Sequence, residues 1–387
     1  MKDQYIGRDR PARMVYGFDD VSLVPGPLTI DPRDVDTSTS IGEMVLRIPV
    51  LGAAMDGVID THMAVQMGKL GALGVLNLEG IFTRYRDPYA VIDELITLPR
   101  ELVTKFLQKV YQEPIQEELV ALRVTQIKES GVPPVASVTP GRVNTIGMSA
   151  IQAGLEILVI QSTVTTVRFE SVRAPLFDLS VFCRNSAVPV VVGNCASYDA
   201  AMELMRAGVS GVLVGIGPGA ACTTRAVLGI GVPQITATVD AAAAREEYFR
   251  VTGKRVAVIT DGGMRVGGDV AKAIAAGADA VMLGSPLAYA SEAPGKGHHW
   301  GMATPDPSLP RGTLVKTGVN GTLEEILLGP SHTADGTMNF VGALRGSMGS
   351  LGVRNIQEMQ KADIVISPTI WSEGKYLQKS QAVGMGR

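Results

Sequence analysis

The chain has 387 residues and a formal net charge of −3, so it carries no excess of basic charge to match a phosphate backbone, and nucleic acid is excluded as a partner. Its cysteines, Cys183, Cys195 and Cys222, are odd in number and lack CxxC spacing, which excludes a disulfide framework and a cysteine-rich zinc site and fits a reducing compartment. The charged stretch Met1 to Arg13 lacks the apolar core of a signal peptide, and no apolar run reaches membrane-spanning length, which predicts a cytoplasmic protein with no membrane partner.

Apolar runs that read as strands lie near residues 48–55, 74–78, 134–138, 157–161, 189–193, 211–215, 255–260 and 280–284. A weak repeat runs through them: a helix ending in Ala-Gly or a similar pair, then a short β-branched run. It recurs at Leu70-Gly71, Ala153-Gly154, Ala207-Gly208 and Ala276-Gly277, where each glycine fits a helix C-cap and each following run fits a strand buried on both faces. Eight strands in this alternation predict an α/β fold, a (β/α)8 TIM barrel in a single domain over 1–387, with an open doubly wound sheet as the alternative. Two stretches break the pattern. Residues 99–130 are charged and helical in period and are expected as an insertion between the second and third strands. Residues 294–336, rich in Gly, Pro, Thr and Asp, follow the eighth strand, and a connection of that length on the chemical face of a barrel predicts a flap over the active site.

In such a barrel the C-terminal strand ends carry Met55-Asp56, Gln161-Ser162-Thr163, Gly193-Asn194, Gly217 to Cys222, Asp261-Gly262-Gly263 and Gly284-Ser285, all on one face. The run Gly215 to Arg225 ends a buried strand in a glycine-rich loop that carries Cys222. A cysteine in that setting reads either as a nucleophile or as a small apolar residue filling a turn, and the glycines favour the nucleophile. The turns after the last two strands predict a phosphate site, hence a phosphorylated ligand. Asp261 fits an acceptor for ribose hydroxyls or a helix N-cap.

Taken together, Phe18-Asp19-Asp20-Val21, Ala53-Ala54-Met55-Asp56, Gly217 to Arg225, Asp261-Gly262-Gly263, Gly268 to Ala273 and Glu292-Ala293-Pro294-Gly295 resemble the IMP dehydrogenase and GMP reductase family over nearly the whole chain. The resemblance implies a homo-oligomeric barrel, tetramer or octamer, that binds IMP and NAD across the strand ends. The regulatory CBS domains that family dehydrogenases carry after the second strand have no counterpart, since only residues 99–130 stand there. By the same resemblance Cys222 is the nucleophile that adds to C2 of the purine, while Thr224 and Arg311 handle the hydrolytic water. Met55 and the amides of Gly301, Met302 and Ala303 would contact the base, Asp261 the ribose, and Gly263, Gly284 and Ser285 the phosphate. The dinucleotide would lie near Gln161, Ser162, Thr163, Asn194, Gly215 and Gly217. The carbonyls of Gly217, Gly219 and Cys222, with Glu373 and Gly374 of the partner subunit, resemble a monovalent-cation site suited to K⁺.

Five positions depart from the family pattern. Ala220 replaces a phosphate-binding serine, Gln161 an aspartate at the nicotinamide ribose, His299-Trp300 a Tyr-Arg pair at the phosphate and flap, and Thr317 a glutamate. The pair His298-His299 is not read as a metal site, because no third ligand accompanies it. The absent glutamate, with Arg311 and Glu292 to Gly295 present, favours IMP oxidation to XMP. GMP reduction with NADPH and a catalytically silent nucleotide binder are the alternatives.

Overall fold

The computed structural model describes residues 4–170, 177–301 and 313–367. Eight parallel strands close into a barrel: β1 (Val50–Gly52), β2 (Leu73–Asn77), β3 (Val135–Val138), β4 (Ile157–Gln161), β5 (Val190–Cys195), β6 (Gly211–Val214), β7 (Ala257–Asp261) and β8 (Ala280–Leu283). Pairing runs in sequence order and closes where Val281, Met282 and Leu283 of β8 meet Val50, Leu51 and Gly52 of β1. The (β/α)8 barrel is therefore formed, and all eight expected strands take part. The four glycines of the repeat, Gly71, Gly154, Gly208 and Gly277, all have φ between +94° and +109°, the left-handed conformation that ends a helix and turns the chain toward the next strand.

Around the barrel run α1 (Thr61–Leu70), α2 (Pro88–Thr97), α3 (Arg100–Val110), α4 (Glu117–Glu129), α5 (Met148–Gln152), α6 (Leu179–Asn185), α7 (Tyr198–Arg206), α8 (Thr224–Leu228), α9 (Gln234–Thr252), α10 (Gly267–Ala275) and α11 (Ser285–Ala288). The helix Phe340–Leu351 packs beside α10 and completes the outer ring. Strand alternation sorts the core in two. Leu73, Val75, Val135, Ile157, Val159, Val191, Leu213, Ile259 and Met282 fill the barrel interior, while Leu76, Leu158, Ile160, Val192, Val212, Val258 and Val281 point outward to the helices. Ile41 and Leu46, from the hairpin Thr39–Ile41 and Met44–Leu46, join the interior cluster and plug the barrel.

The structure divides the helical stretch after β2 at a different place from the one its charge suggests. Helix α4 packs between α1 and α5 and buries Val120, Val124 and Ile127 in the outer core, as the barrel helix of the second βα unit does. Helices α2 and α3 instead build a separate cluster with Ile81, Phe82, Ile92, Leu95, Val103, Leu107, Val110 and Tyr111. Trp300, from the connection after β8, completes that cluster. Within that connection the strands His298–Trp300 and Leu314–Lys316 pair antiparallel. No helix among the described residues is long and apolar enough to cross a membrane.

Candidate active site

Loops after the strands interlock before any ligand is considered. A Cβ on Gly215 would lie 2.5 Å from the Asp261 carbonyl oxygen, and one on Gly263 would lie 2.9 Å from Pro218, so the loops after β6 and β7 fit only because both carry glycine. Gln234 staples the same join, its Nε2 donating to the carbonyls of Val214 at 3.1 Å and Asp261 at 3.0 Å. Across the barrel Met55 Sδ would lie 3.0 Å from a Cβ on Gly284, which brings the ends of β1 and β8 together.

These loops enclose one cavity of about 1650 Å³. Every expected site residue that the structure describes lines it: Cys222 and Thr224, then Met55, Asp261, Gly263, Gly284, Ser285 and Gly301, then Gln161, Ser162, Thr163, Asn194, Gly215, Gly217 and Gly219. Arg311, Met302, Ala303, Glu373 and Gly374 lie outside the described residues.

Cys222 is exposed on the cavity wall, whereas Cys195 is buried and Cys183 half-buried. Burial pushes the Cys183 thiol up to about 11 and the Cys195 thiol up to about 12, which leaves both inert near neutral pH. The Cys222 thiol donates to Thr224 Oγ1 at 3.2 Å, and its amide donates to the Gly219 carbonyl at 3.1 Å. Arg225 fixes the loop from behind through the carbonyls of Ile216, at 3.0 Å, and Val232, at 2.8 Å.

Asp261 at the end of β7 faces two amides. Its Oδ2 accepts from Asn194 Nδ2 at 2.7 Å and from Gln161 Nε2 at 3.0 Å, and the same Gln161 nitrogen donates to Asn194 Oδ1 at 3.0 Å. Burial pushes the Asp261 carboxyl up to about 6, with the Asn194 and Gln161 hydrogen bonds acting against that rise. Gln161 is thus tied to the site carboxylate, a role the sequence comparison alone did not suggest.

Sequence reasoning also missed a buried polar chain beside the cavity. Trp300 Nε1 donates to the Tyr111 hydroxyl at 2.9 Å, and Tyr111 donates to Asp56 Oδ2 at 2.7 Å. The same Asp56 oxygen accepts from the Ile81 amide at 2.8 Å, while Oδ1 accepts from Asn77 Nδ2 at 3.3 Å. Burial holds the Asp56 carboxyl up near 6 and pushes the Tyr111 phenol well above its usual value. The chain seats the α2–α3 layer on the barrel face. Thr317, where an acid was noted as absent, donates to the Gly297 carbonyl at 2.9 Å and braces the paired strands. His299 is buried, and neither ring nitrogen has a hydrogen-bond partner among the described residues.

A closed parallel barrel with an accessible cysteine, a carboxylate and glycine turns gathered at its strand C-termini defines a (β/α)8-barrel protein with a cavity of small-ligand size on that face. A model of the IMP dehydrogenase / GMP reductase domain matches residues 15–90 and 123–304, leaving out α3 and parts of α2 and α4. An uncharacterized oxidoreductase of Mycolicibacterium smegmatis is 39% identical over 371 residues, covering 93% of this chain and 99% of that protein. An inosine-5'-monophosphate dehydrogenase of Methanocaldococcus jannaschii is 28% identical over 477 residues, covering 92% of this chain and 94% of that protein. The crystal structure of an IMP dehydrogenase/GMP reductase-like protein from Corynebacterium glutamicum superposes with a TM-score of 0.89 at 36% identity, covering 94% of this chain and 97% of that one. The chain belongs to the IMP dehydrogenase / GMP reductase family and is an oxidoreductase.

Proposed function

We propose that the protein is an IMP dehydrogenase that oxidises IMP to XMP with NAD. The observation that carries this reading is the placing of Cys222: it is the exposed cysteine of the three, it lines the same cavity as Asp261, and its thiol is within hydrogen-bond reach of Thr224. An aromatic C–H does not readily release hydride. Addition of the Cys222 sulfur to C2 of the purine makes that carbon tetrahedral, and the C2 hydrogen then departs with its electron pair. NAD, when bound, supplies the acceptor for that hydride. Water next adds to C2, the carbon–sulfur bond breaks, and XMP leaves with the thiol restored. Thr224, buried at the start of α8, and Arg311 are assigned to hold that water and take its proton.

Asp261 accepts the ribose hydroxyls through the carboxylate that Asn194 and Gln161 hold in place. Gly263, Gly284 and Ser285 receive the phosphate, and Met55 and Gly301 border the base. Ser162, Thr163 and Asn194 line the part of the cavity assigned to NAD; with Gln161 Nε2 given to Asp261, its carbonyl oxygen is the acceptor left to serve a second ribose. The carbonyls of Gly217, Gly219 and Cys222 are assigned to K⁺, the Gly219 oxygen while also accepting from the Cys222 amide at 3.1 Å. Glu373 and Gly374 of the partner subunit would complete that site in a homo-oligomer.

NADH absorbance with IMP and NAD, with and without K⁺, tests the reading. Turnover is expected with the native chain, stimulated by K⁺ and lost by on the order of 10⁴-fold or more in Cys222→Ala. Arg311→Ala is expected to give one burst of NADH and then stall with nucleotide trapped on the cysteine. NADPH loss with GMP in place of these signals would make the protein a reductase, and nucleotide binding without either signal would make it a silent binder.

A further inference from the structure

Two segments that border the cavity turn neighbouring residues to opposite sides. At the end of β1, Met55 lines the cavity while Asp56, 1% exposed, lies behind that wall. After β8, Gly301 lines the cavity while Trp300, also 1% exposed, packs behind it in the α2–α3 cluster. The two hidden side chains meet on one atom. The Tyr111 hydroxyl accepts from Trp300 Nε1 at 2.9 Å and donates to Asp56 Oδ2 at 2.7 Å.

That atom has little freedom. A phenol has one proton to give, and here it goes to a buried carboxylate, where a hydrogen bond is roughly twice as strong as one between neutral groups. Asp56 is fixed in turn by the Ile81 amide at 2.8 Å and Asn77 Nδ2 at 3.3 Å, and a Cβ on Gly80 would overlap its carboxylate. Trp300 is held as closely, since a Cβ on Gly57, the residue after Asp56, would lie 2.8 Å from its ring. Both segments also touch the loops that carry the chemistry. A Cβ on Gly301 would lie 3.3 Å from the carbonyl oxygen of Ala221, the residue before Cys222, and one on Gly284 would lie 3.0 Å from Met55 Sδ. Asp56, Asn77, Ile81 and Trp300 fall in the stretches matched to the family, whereas Tyr111, which caps α3, lies outside them. The hydroxyl that joins the two walls therefore comes from the α2–α3 layer.

We propose that Tyr111 is a positioning residue for the purine: its hydroxyl holds the Met55 and Gly301 walls at a fixed separation, so that the α2–α3 layer completes the base pocket from behind. The inference rests on the reading of the cavity as an IMP site with Met55 and Gly301 against the base. Tyr111→Phe takes the acceptor from Trp300 Nε1 and leaves Asp56 Oδ2 with the Ile81 amide. Each wall is then free to shift, and the base loses a preformed slot. The residues assigned to ribose and phosphate stand at the ends of β7 and β8, and none of them bonds to that hydroxyl.

The test is calorimetric titration of the full chain with IMP, with ribose 5-phosphate measured as a competitor; the latter carries the sugar and phosphate and lacks the base. Tyr111→Phe is expected to weaken IMP by on the order of tenfold and to leave ribose 5-phosphate unchanged. Trp300→Phe breaks the same link from the other side and should weaken IMP at least as much, with the double variant within about twofold of it, because both act through one hydroxyl. Val103→Ala separates positioning from stability. Val103 is 3% exposed in the same cluster and takes no part in either hydrogen bond, so its truncation should lower the unfolding midpoint and leave IMP affinity as in the native chain. Unchanged IMP affinity in Tyr111→Phe, equal weakening of IMP and ribose 5-phosphate, or a loss in Val103→Ala as large as in Tyr111→Phe overturns the inference and leaves the IMP site standing. Should Tyr111→Phe fail to fold, the same comparison is made with Trp300→Phe. Failure of the native chain to bind IMP at all overturns the underlying reading and the inference with it.

Discussion

Two aspartates on neighbouring strands, Asp279 buried and Asp261 half-buried in the cavity wall, sit at opposite ends of the barrel and are treated in opposite ways. Asp279, just before β8, accepts from Arg245 at 2.6 Å, from Arg255 at 2.8 Å and from the Val258 amide at 2.9 Å. The two arginines and the backbone hydrogen bond hold its carboxyl below the usual range against the opposing effect of burial. Asp261, ending β7, has among the described residues only the neutral amides of Asn194 and Gln161 on its carboxylate, and burial wins, lifting it to about 6. The N-terminal end of the barrel uses charge to complete a structure; the C-terminal end keeps a carboxylate short of partners, with capacity left for a ligand.

The largest expected effect comes from breaking the completed end. Asp279→Ala takes the buried carboxylate from the Arg245 guanidinium, whose side chain is 2% exposed, and leaves it beside Arg255 with only the exposed Glu246, at 2.8 Å, as a charged partner among the described residues. Denaturant unfolding should report a loss of about 3 to 5 kcal/mol, and kcat of the protein that remains folded should be unchanged. Next in size is the opposite lesion. Asp261→Asn should raise KM for IMP roughly 10- to 100-fold through loss of a charged acceptor, with no loss of stability at pH 7. The sign follows from the raised value: the folded chain takes up the Asp261 proton before the unfolded chain does, so the ionised carboxylate costs stability above about pH 6, and that cost fades as pH falls through 6. A stability-versus-pH series on native protein and variant should converge on the acid side of pH 6. A wild-type advantage that grew toward alkaline pH would contradict the contrast drawn here. The smallest effect sharpens it. Gln161→Glu sets a second carboxylate against Asp261 Oδ2, which should move the acid limb of the kcat/KM profile up by about one pH unit, while Gln161→Asn should leave that limb in place.

The barrel was legible in the sequence because each βα unit announces itself locally, by a glycine that ends the helix and an apolar run that follows. The strand ends were legible as a site for the same reason: closing eight parallel strands brings residues as far apart as Met55 and Ser285 to one rim. Helix α4 was assigned to the insertion because an amphipathic period says that a helix has an apolar face and not which neighbour covers it. The chain from Trp300 through Tyr111 to Asp56 spans 189 and then 55 residues, and side-chain pairing at such separations leaves no periodic trace. Gln161 shows a third limit. Its identity alone reads as a lost carboxylate, and its role beside Asp261 emerges only when β4, β5 and β7 stand side by side.

The hairpin residues Ile41 and Leu46 that cork the barrel from below have a bearing on traffic. With that end stopped, molecules reach the cysteine from the rim. In the proposed cycle, nucleotide, coenzyme and the water that frees the product would then share one entrance, and the order in which they pass would become part of how the protein works.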